Sequence, residues 1–236
     1  MLIEIWSDFV CPFCYIGKRR LEAALEGFQH KEAVTIEYRS YQLDPTAKHI
    51  PGKNFYETFS ELKGMPIKQV KTMNHQVAEQ ARAVGLDFRF DTMQYTNTFD
   101  AHRLFHYAKR QGKGNAITER FLHAYFTESA LLSDKETLVK LSVEVGLDEE
   151  KVRELLQSEK YTQKVSEDIA VAQQIGVQGV PFFVFNEKYA VSGAQSSDVF
   201  SQVLEKVWEE EESNPAAKKG KAKTSYCTDE GCVEHE

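Results

Sequence analysis

Two cysteines two residues apart, Cys11-Pro12-Phe13-Cys14, stand between an apolar strand-like run, Leu2-Ile3-Glu4-Ile5-Trp6, and a helical pattern. This junction constrains the chain more than any other feature. Thiols at that spacing can close a disulfide within one helical turn. The first sits where the helix begins, and the unsatisfied N–H groups and partial positive charge of a helix N-terminus favour a thiolate. The thiolate is the attacking species in disulfide exchange, so a CxxC at a strand-to-helix junction reads as a redox site. One rival reading is half of a structural zinc site, which needs two more Cys or His ligands at set spacing. The next cysteines, Cys227 and Cys232, lie at the far end of the chain and are spaced differently. A passive pair of buried thiols is the remaining reading.

The bulk properties narrow the partners. The 236 residues carry a formal net charge of −7, which disfavours nucleic acid as the main partner because phosphate binding needs a basic surface. No apolar run approaches the roughly 20 residues that span a bilayer. The N-terminus opens directly into a strand pattern containing Glu4, without a basic segment and apolar stretch of the kind that directs secretion. The expectation is a cytoplasmic protein. Four cysteines in a chain of this size are too few for a disulfide scaffold, and cytosolic disulfides tend to be transient and catalytic.

Periodicity supplies the architecture. Cys14, Gly17, Leu21, Ala24, Leu25 and Phe28 mark the inward face of the first helix, with Pro12 at its first position, where a missing N–H costs nothing. Val34, Ile36 and Tyr38 alternate with Thr35, Glu37 and Arg39 as in a strand. This gives βαβ, the opening of a parallel sheet. Residues 53–157 show helical stripes only, including a capping box expected at Ser133–Glu136 and a cap at Asp148. A further helix, about 160–175, precedes Gly179-Val180-Pro181-Phe182-Phe183-Val184-Phe185, which turns at Asn186-Glu187 into Tyr189-Ala190-Val191-Ser192, a hairpin pattern. A last helix carries Phe200, Val203, Leu204, Val207 and Trp208. The expected division is a discontinuous α/β domain (1–52 and 158–212), a helical insertion (53–157), and a mobile tail (213–236) poor in large apolar residues.

This order, with CxxC at the first strand-to-helix junction, resembles the thioredoxin superfamily, and the helical insertion resembles its DsbA-like branch. Ser7 to Cys14 is similar to that branch's active-site run, and Gly179-Val180-Pro181-Phe182-Phe183 to its cis-proline loop. Ser192-Gly193-Ala194-Gln195, Asn97-Thr98 and Ala101-His102-Arg103-Leu104 are similar to runs of the cytosolic FrnE-type group, and the terminal CX4C to an extra cysteine pair of some FrnE-like proteins. The resemblance covers about residues 1–208. It implies an α/β thioredoxin fold with a large all-helical insertion, thiol–disulfide oxidoreductase activity, and a proline loop beside Cys11 whose Val180 backbone pairs with an extended substrate.

Within that frame Cys11 is the expected nucleophile and more exposed thiol, and Cys14 the resolving thiol. Pro12 and Phe13 are expected to tune the potential. Phe13 can neither donate a hydrogen bond nor carry charge, so a value of about −150 to −250 mV is expected, more reducing than DsbA's. No cofactor or metal is needed, and partners are thiol- or disulfide-containing proteins or small thiols such as glutathione. His102 and His106, four apart on one helix, lack an obvious third metal ligand and suit hydrogen bonding where insertion and sheet meet. Cys227 and Cys232 keep three readings: idle thiols, an auxiliary redox pair, or metal ligands with Asp229, Glu230 or His235. A glutathione-dependent isomerase or transferase of the same fold, and a redox-regulated chaperone or binding protein, are the alternative functions.

Overall fold

A computed structural model of the chain describes residues 1–213, together with the backbone of two strands at 225–228 and 231–234. The elements run β1 (Leu2–Ser7), α1 (Pro12–Gly27), a short 3-10 turn (Lys31–Ala33) and β2 (Thr35–Ser40). Six helices follow: α2 (Phe55–Lys63), α3 (Ile67–Arg82), α4 (Phe99–Arg110), α5 (Gly114–Phe126), α6 (Lys135–Glu144) and α7 (Glu149–Leu156). Then come α8 (Thr162–Gln174), β3 (Phe182–Phe185), β4 (Tyr189–Ser192), α9 (Ser197–Ser213), β5 (Ser225–Thr228) and β6 (Gly231–Glu234). The sheet order is β2-β1-β3-β4-β5-β6. β1 and β2 are parallel, and β1–β3 and β3–β4 are antiparallel. This is the DsbA-like thioredoxin architecture expected from the sequence.

Both faces of β1, β3 and β4 are covered, which explains why β3 reads as an unbroken apolar run. Ile3, Ile5, Phe183, Phe185 and Val191 belong to a core shared with α1, α9 and the insertion helices. Trp6, Phe182, Val184 and Ala190 point the other way, toward Ala172 of α8 and Val177 in the loop after it. The period-2 side-chain alternation therefore serves two cores at once. Trp6 also donates its indole N–H to the Asp168 carbonyl at 2.9 Å.

The helix ends follow local chemistry. Asn54 and Glu57 form a reciprocal capping box at α2. At α6 the cap is Asp134 rather than Ser133: its carboxylate accepts from the Thr137 N–H, while the Ser133 N–H donates to Thr96 Oγ1. Asp148 caps α7 as expected.

Polar groups tie the insertion to the sheet. Glu119 of α5 meets Lys18 Nζ at 2.6 Å, Tyr15 Oη at 2.6 Å and the Arg19 guanidinium, all on α1. Burial raises the Glu119 pKa, but hydrogen bonds from Arg19, Lys18 and Tyr15 outweigh it and hold the carboxyl at about 2. Asp168 of α8 accepts from the Ser40 N–H at 2.8 Å and lies 3.2 Å from His106 Nε2 of α4 and 3.4 Å from Arg39 Nη1. Its burial likewise works upward, and His106, Ser40 and Arg39 bring it below the ordinary aspartate value.

The chain after α9 departs from the expectation of a tail without elements. β5 pairs parallel with β4, β6 pairs antiparallel with β5, and Cys227 and Cys232 are register partners in that second pair. Polar composition hides such strands because backbone hydrogen bonds to an existing edge need little apolar side-chain surface. The rest of the tail, with Asp229, Glu230 and His235, lies outside the described residues.

Two tests follow from this packing. Asp168→Ala leaves the Ser40 N–H without its acceptor and is expected to cost about 3 kcal/mol in urea melts near neutral pH. Because the native Asp168 pKa is depressed, its contribution is full above the unfolded value of about 3.9. It is lost as pH falls through the native value, so wild type and variant should converge in acid. Gly17 is held by close approach: a Cβ there would lie 3.2 Å from both Phe183 Cζ and Pro181 Cγ and 3.4 Å from Ala194 Cβ. Gly17→Val should cost about 2 kcal/mol by overpacking, and Gly17→Ala less, read by thermal melts.

Candidate active site

β1 ends at Ser7, and a short loop carries the chain into α1 with Cys11 as N-cap residue in an extended conformation and Pro12 in the first turn. The loop is closed by backbone bonds: the Cys11 N–H donates to the Asp8 carbonyl and the Cys14 N–H to the Cys11 carbonyl, each at 3.1 Å. Both cysteines are free thiols. The Cys11 thiol donates to the Val180 carbonyl at 3.3 Å. The Val180–Pro181 peptide bond is cis, and the Gly193 N–H secures the same turn by donating to the Pro181 carbonyl at 2.9 Å. The pairing of β1 with β3 thus delivers the two motifs singled out in the sequence to one spot.

The exposure of the two thiols corrects one expectation. Cys11 and Cys14 are each 3% exposed, whereas Phe13 between them is 38% exposed. Cys11 is no more open than Cys14, because its sulfur is turned under the proline loop by the Val180 contact. The surroundings of Cys14 act on its thiol. Burial pushes its thiol pKa well up, and the adjoining Cys11 thiol adds to this, against a smaller downward pull from the Ser7 hydroxyl and the Asp8 backbone. Cys14 is therefore held as the protonated thiol.

Behind the cysteines two residues of the quoted runs, Asp8 and His102, meet in a pairing that the sequence did not show. Asp8, 1% exposed, accepts from the Leu43 N–H at 2.8 Å and faces His102 Nε2 at 3.2 Å. The Phe9 ring covers the imidazole, with centroids 4.6 Å apart. The adjacency of Asp8 to a CxxC run was the available signal, but its partner is 94 positions away, beyond any local pattern. His102 and His106 do not converge. His102 engages Asp8, whereas His106 lies 3.0 Å from Ser40 Oγ and beside Asp168. Both make the hydrogen bonds between insertion and sheet that were expected of His102. Among the described residues no cluster of three or more His, Cys, Asp or Glu is arranged to hold a metal ion. Among the same residues no helix is long and apolar enough to cross a membrane.

Comparison with known proteins agrees with this architecture. The chain is 28% identical over 206 residues to the uncharacterized protein YwbO of Bacillus subtilis, covering 86% of this chain and 94% of that one. The crystal structure of a probable DsbA oxidoreductase from Streptomyces coelicolor superposes with a TM-score of 0.85 at 36% identity over the whole of both chains. DsbM, a cytosolic disulfide reductase of Pseudomonas aeruginosa crystallised with GSH, shares the fold. Its TM-score is 0.61 at 15% identity, over 91% of this chain and 100% of that one. The sequence model of the DSBA-like thioredoxin domain matches residues 2–205, and the chain belongs to that family.

Proposed function

We propose that this chain is a thiol–disulfide oxidoreductase in which Cys11 and Cys14 form the exchanging pair. The observation that carries the reading is the Cys11 thiol at a helix N-terminus, bonded to the Val180 carbonyl beside cis-Pro181. In the oxidising direction, a substrate thiolate attacks Cys11 Sγ of the Cys11–Cys14 disulfide. A substrate–Cys11 disulfide forms, the intramolecular S–S bond breaks, and Cys14 leaves with the electron pair and takes up a proton. A second substrate thiolate then attacks the substrate sulfur, forms the substrate disulfide and releases Cys11 as thiolate. Two electrons have passed from substrate to protein. The reducing direction runs these steps backward, with the Cys11 thiolate attacking first. The cysteines carry the electrons, so no cofactor enters.

The Val180 carbonyl that holds Cys11 lies in the loop just before β3. Its backbone is suited to strand-type pairing with an extended substrate, and Phe13 supplies exposed apolar surface next to the pair. Thiol- or disulfide-containing proteins and small thiols such as glutathione are the partners of this chemistry. A cytoplasmic setting accords with DsbM, a cytosolic reductase crystallised with GSH. A glutathione-dependent isomerase would not need Cys14, and a chaperone role would not need Cys11. The Cys227–Cys232 pair is assigned an auxiliary redox role here, on the strength of its cross-strand register.

Cys11→Ser is expected to lower insulin- or glutathione-linked exchange by about a hundredfold or more, whereas Cys14→Ser should accumulate the Cys11 mixed disulfide in mass spectra. Exchange unaffected by Cys11→Ser would end the oxidoreductase reading. Equilibration in glutathione buffers with thiol trapping should place the pair at about −150 to −250 mV. Deleting residues 213–236 should shift the apparent value if the terminal cysteines exchange with it.

A further inference from the structure

The Ser192–Gln195 run takes no direct part in the exchange steps. It carries the chain from the end of β4 toward α9 and lies against the proline loop. Gly193 there takes φ +78°, a left-handed conformation open to glycine, and its N–H donates to the Pro181 carbonyl at 2.9 Å. The Gln195 side chain closes the turn, with Nε2 donating to the Ser192 carbonyl at 2.8 Å. From α1 the Arg20 guanidinium reaches across and donates from Nη1 to the Ala194 carbonyl. Gly17 stands on the same side of α1, one turn before Arg20. A Cβ at Gly17 would meet both Pro181 Cγ and Ala194 Cβ, so the proline loop and the Ser192–Gln195 turn rest together on this helix.

The partner of Arg20 is informative. Its neighbour Arg19 is matched by Glu22 and Glu119. Arg20 is half-buried, makes no ion pair among the described residues and directs its Nη1 donor to a neutral carbonyl. A hydrogen bond from an ionised donor is stronger than one between neutral groups, so this contact fixes the backbone it holds. The constraint passes along the main chain. Ala194 follows Gly193, Gly193 holds the Pro181 carbonyl, and the Val180 carbonyl just before Pro181 accepts from the Cys11 thiol at 3.3 Å. Through these links a side chain roughly two and a half turns further along α1 reaches the Cys11 sulfur.

We propose that Arg20 is a positioning residue for Cys11: by holding the Ser192–Gln195 turn it keeps the Val180 carbonyl seated on the Cys11 sulfur and so restrains that thiol from ionising. The inference rests on the oxidoreductase reading, in which Cys11 is the nucleophile. A carbonyl oxygen accepts a hydrogen bond from S–H but only repels a thiolate, so its presence favours the protonated form. The helix N-terminus works the other way and favours the thiolate. How firmly the carbonyl is held therefore sets the balance between them, and with it the fraction of Cys11 available for attack. Arg20 acts through the turn and never touches substrate. Of the elements around Cys11, α1 brings the Cys14 thiol, and the loop after β1 brings Asp8 with His102 of the insertion beyond it. The proline loop and the Ser192–Gln195 turn bring backbone groups and neutral side chains.

The test is the rate of Cys11 alkylation by iodoacetamide in the reduced full-length protein, read by peptide mass spectrometry from about pH 4 to about pH 10. Arg20→Met keeps the apolar stem and removes the donors and the charge. It is expected to move the Cys11 titration to lower pH by about half a unit or more, because the carbonyl is released. Loss of a positive charge acts in the opposite sense and would raise the titration, so the sign of the shift separates the two effects. Arg20→Lys, which retains a charged donor, should bring the titration back toward wild type. Gln195→Ala loosens the same turn without altering charge. It should shift Cys11 downward by less, and it keeps the proposal testable should Arg20→Met not fold. Folded Arg20→Met with a wild-type or raised titration, or in its place folded Gln195→Ala with a wild-type one, would overturn the positioning role alone. Wild-type protein in which Cys11 and Cys14 form no disulfide in any glutathione buffer would overturn the oxidoreductase reading, whatever the titration of Cys11.

Discussion

The antiparallel pairing of β1 with β3 is the constraint on which the rest of the structure depends. Ile5 opposes Phe183 and Trp6 opposes Phe182, so the loop leaving β1 and the loop entering β3 meet at the same end of the sheet. That register is strongly specified because both faces are buried. A slip of one residue would exchange Ile3 and Ile5 with Trp6 across the two cores. The Cys11–Val180 hydrogen bond follows from the register rather than from any local preference of either loop. Gly17 follows from it too, since α1 crosses close enough to Phe183 and Pro181 to leave no room for a side chain.

The helical insertion is joined to this frame by apolar packing and by polar contacts, three of which differ in character. Glu119 is a half-exposed hub gathering two cations and a phenol from α1. Asp168 and His106 sit deeper, together with a backbone N–H. Asp8 and His102 are fully enclosed. Buried polar pairs of this kind add little net stability relative to apolar replacements, but each is costly to break on one side only. Their effect is to fix one relative placement of α4, α5 and the sheet, which apolar surfaces alone would define loosely. The placement matters because the insertion lines one wall of the site.

Local chemistry was legible in the sequence and long-range placement was not. The CxxC run, the proline loop, the strand alternation at residues 34–39 and the β3–β4 hairpin are encoded within a few neighbouring residues, and the structure has them where they were expected. The inward stripe of α1 was only half its story. Tyr15, Ile16 and Lys18 are buried as well, because α1 is enclosed by the sheet on one side and the insertion on the other, so no single stripe describes it. Asp168 reads as an ordinary charged position on an amphipathic helix until β2 and α4 are brought beside it. Cys11 is covered by a loop 169 residues away, and its exposure could not be read from its own surroundings. The paired strands near the C-terminus escaped because edge addition relies on backbone groups common to every residue.

The distance along the chain between Cys11 and its carbonyl partner also has a consequence in time. The polypeptide emerges from the N-terminus at roughly 5–20 residues per second, so on the order of ten to thirty seconds separates synthesis of Cys11 from synthesis of the segment that covers it. Throughout that interval both thiols belong to an unfinished sheet lacking β3 and β4. They are then ordinary cysteines on a nascent chain, without the carbonyl, the enclosing loop or the opposing strand that distinguish them later. Assembly of the pair coincides with near-completion of the domain, and a truncated product released early carries the motif without its surroundings.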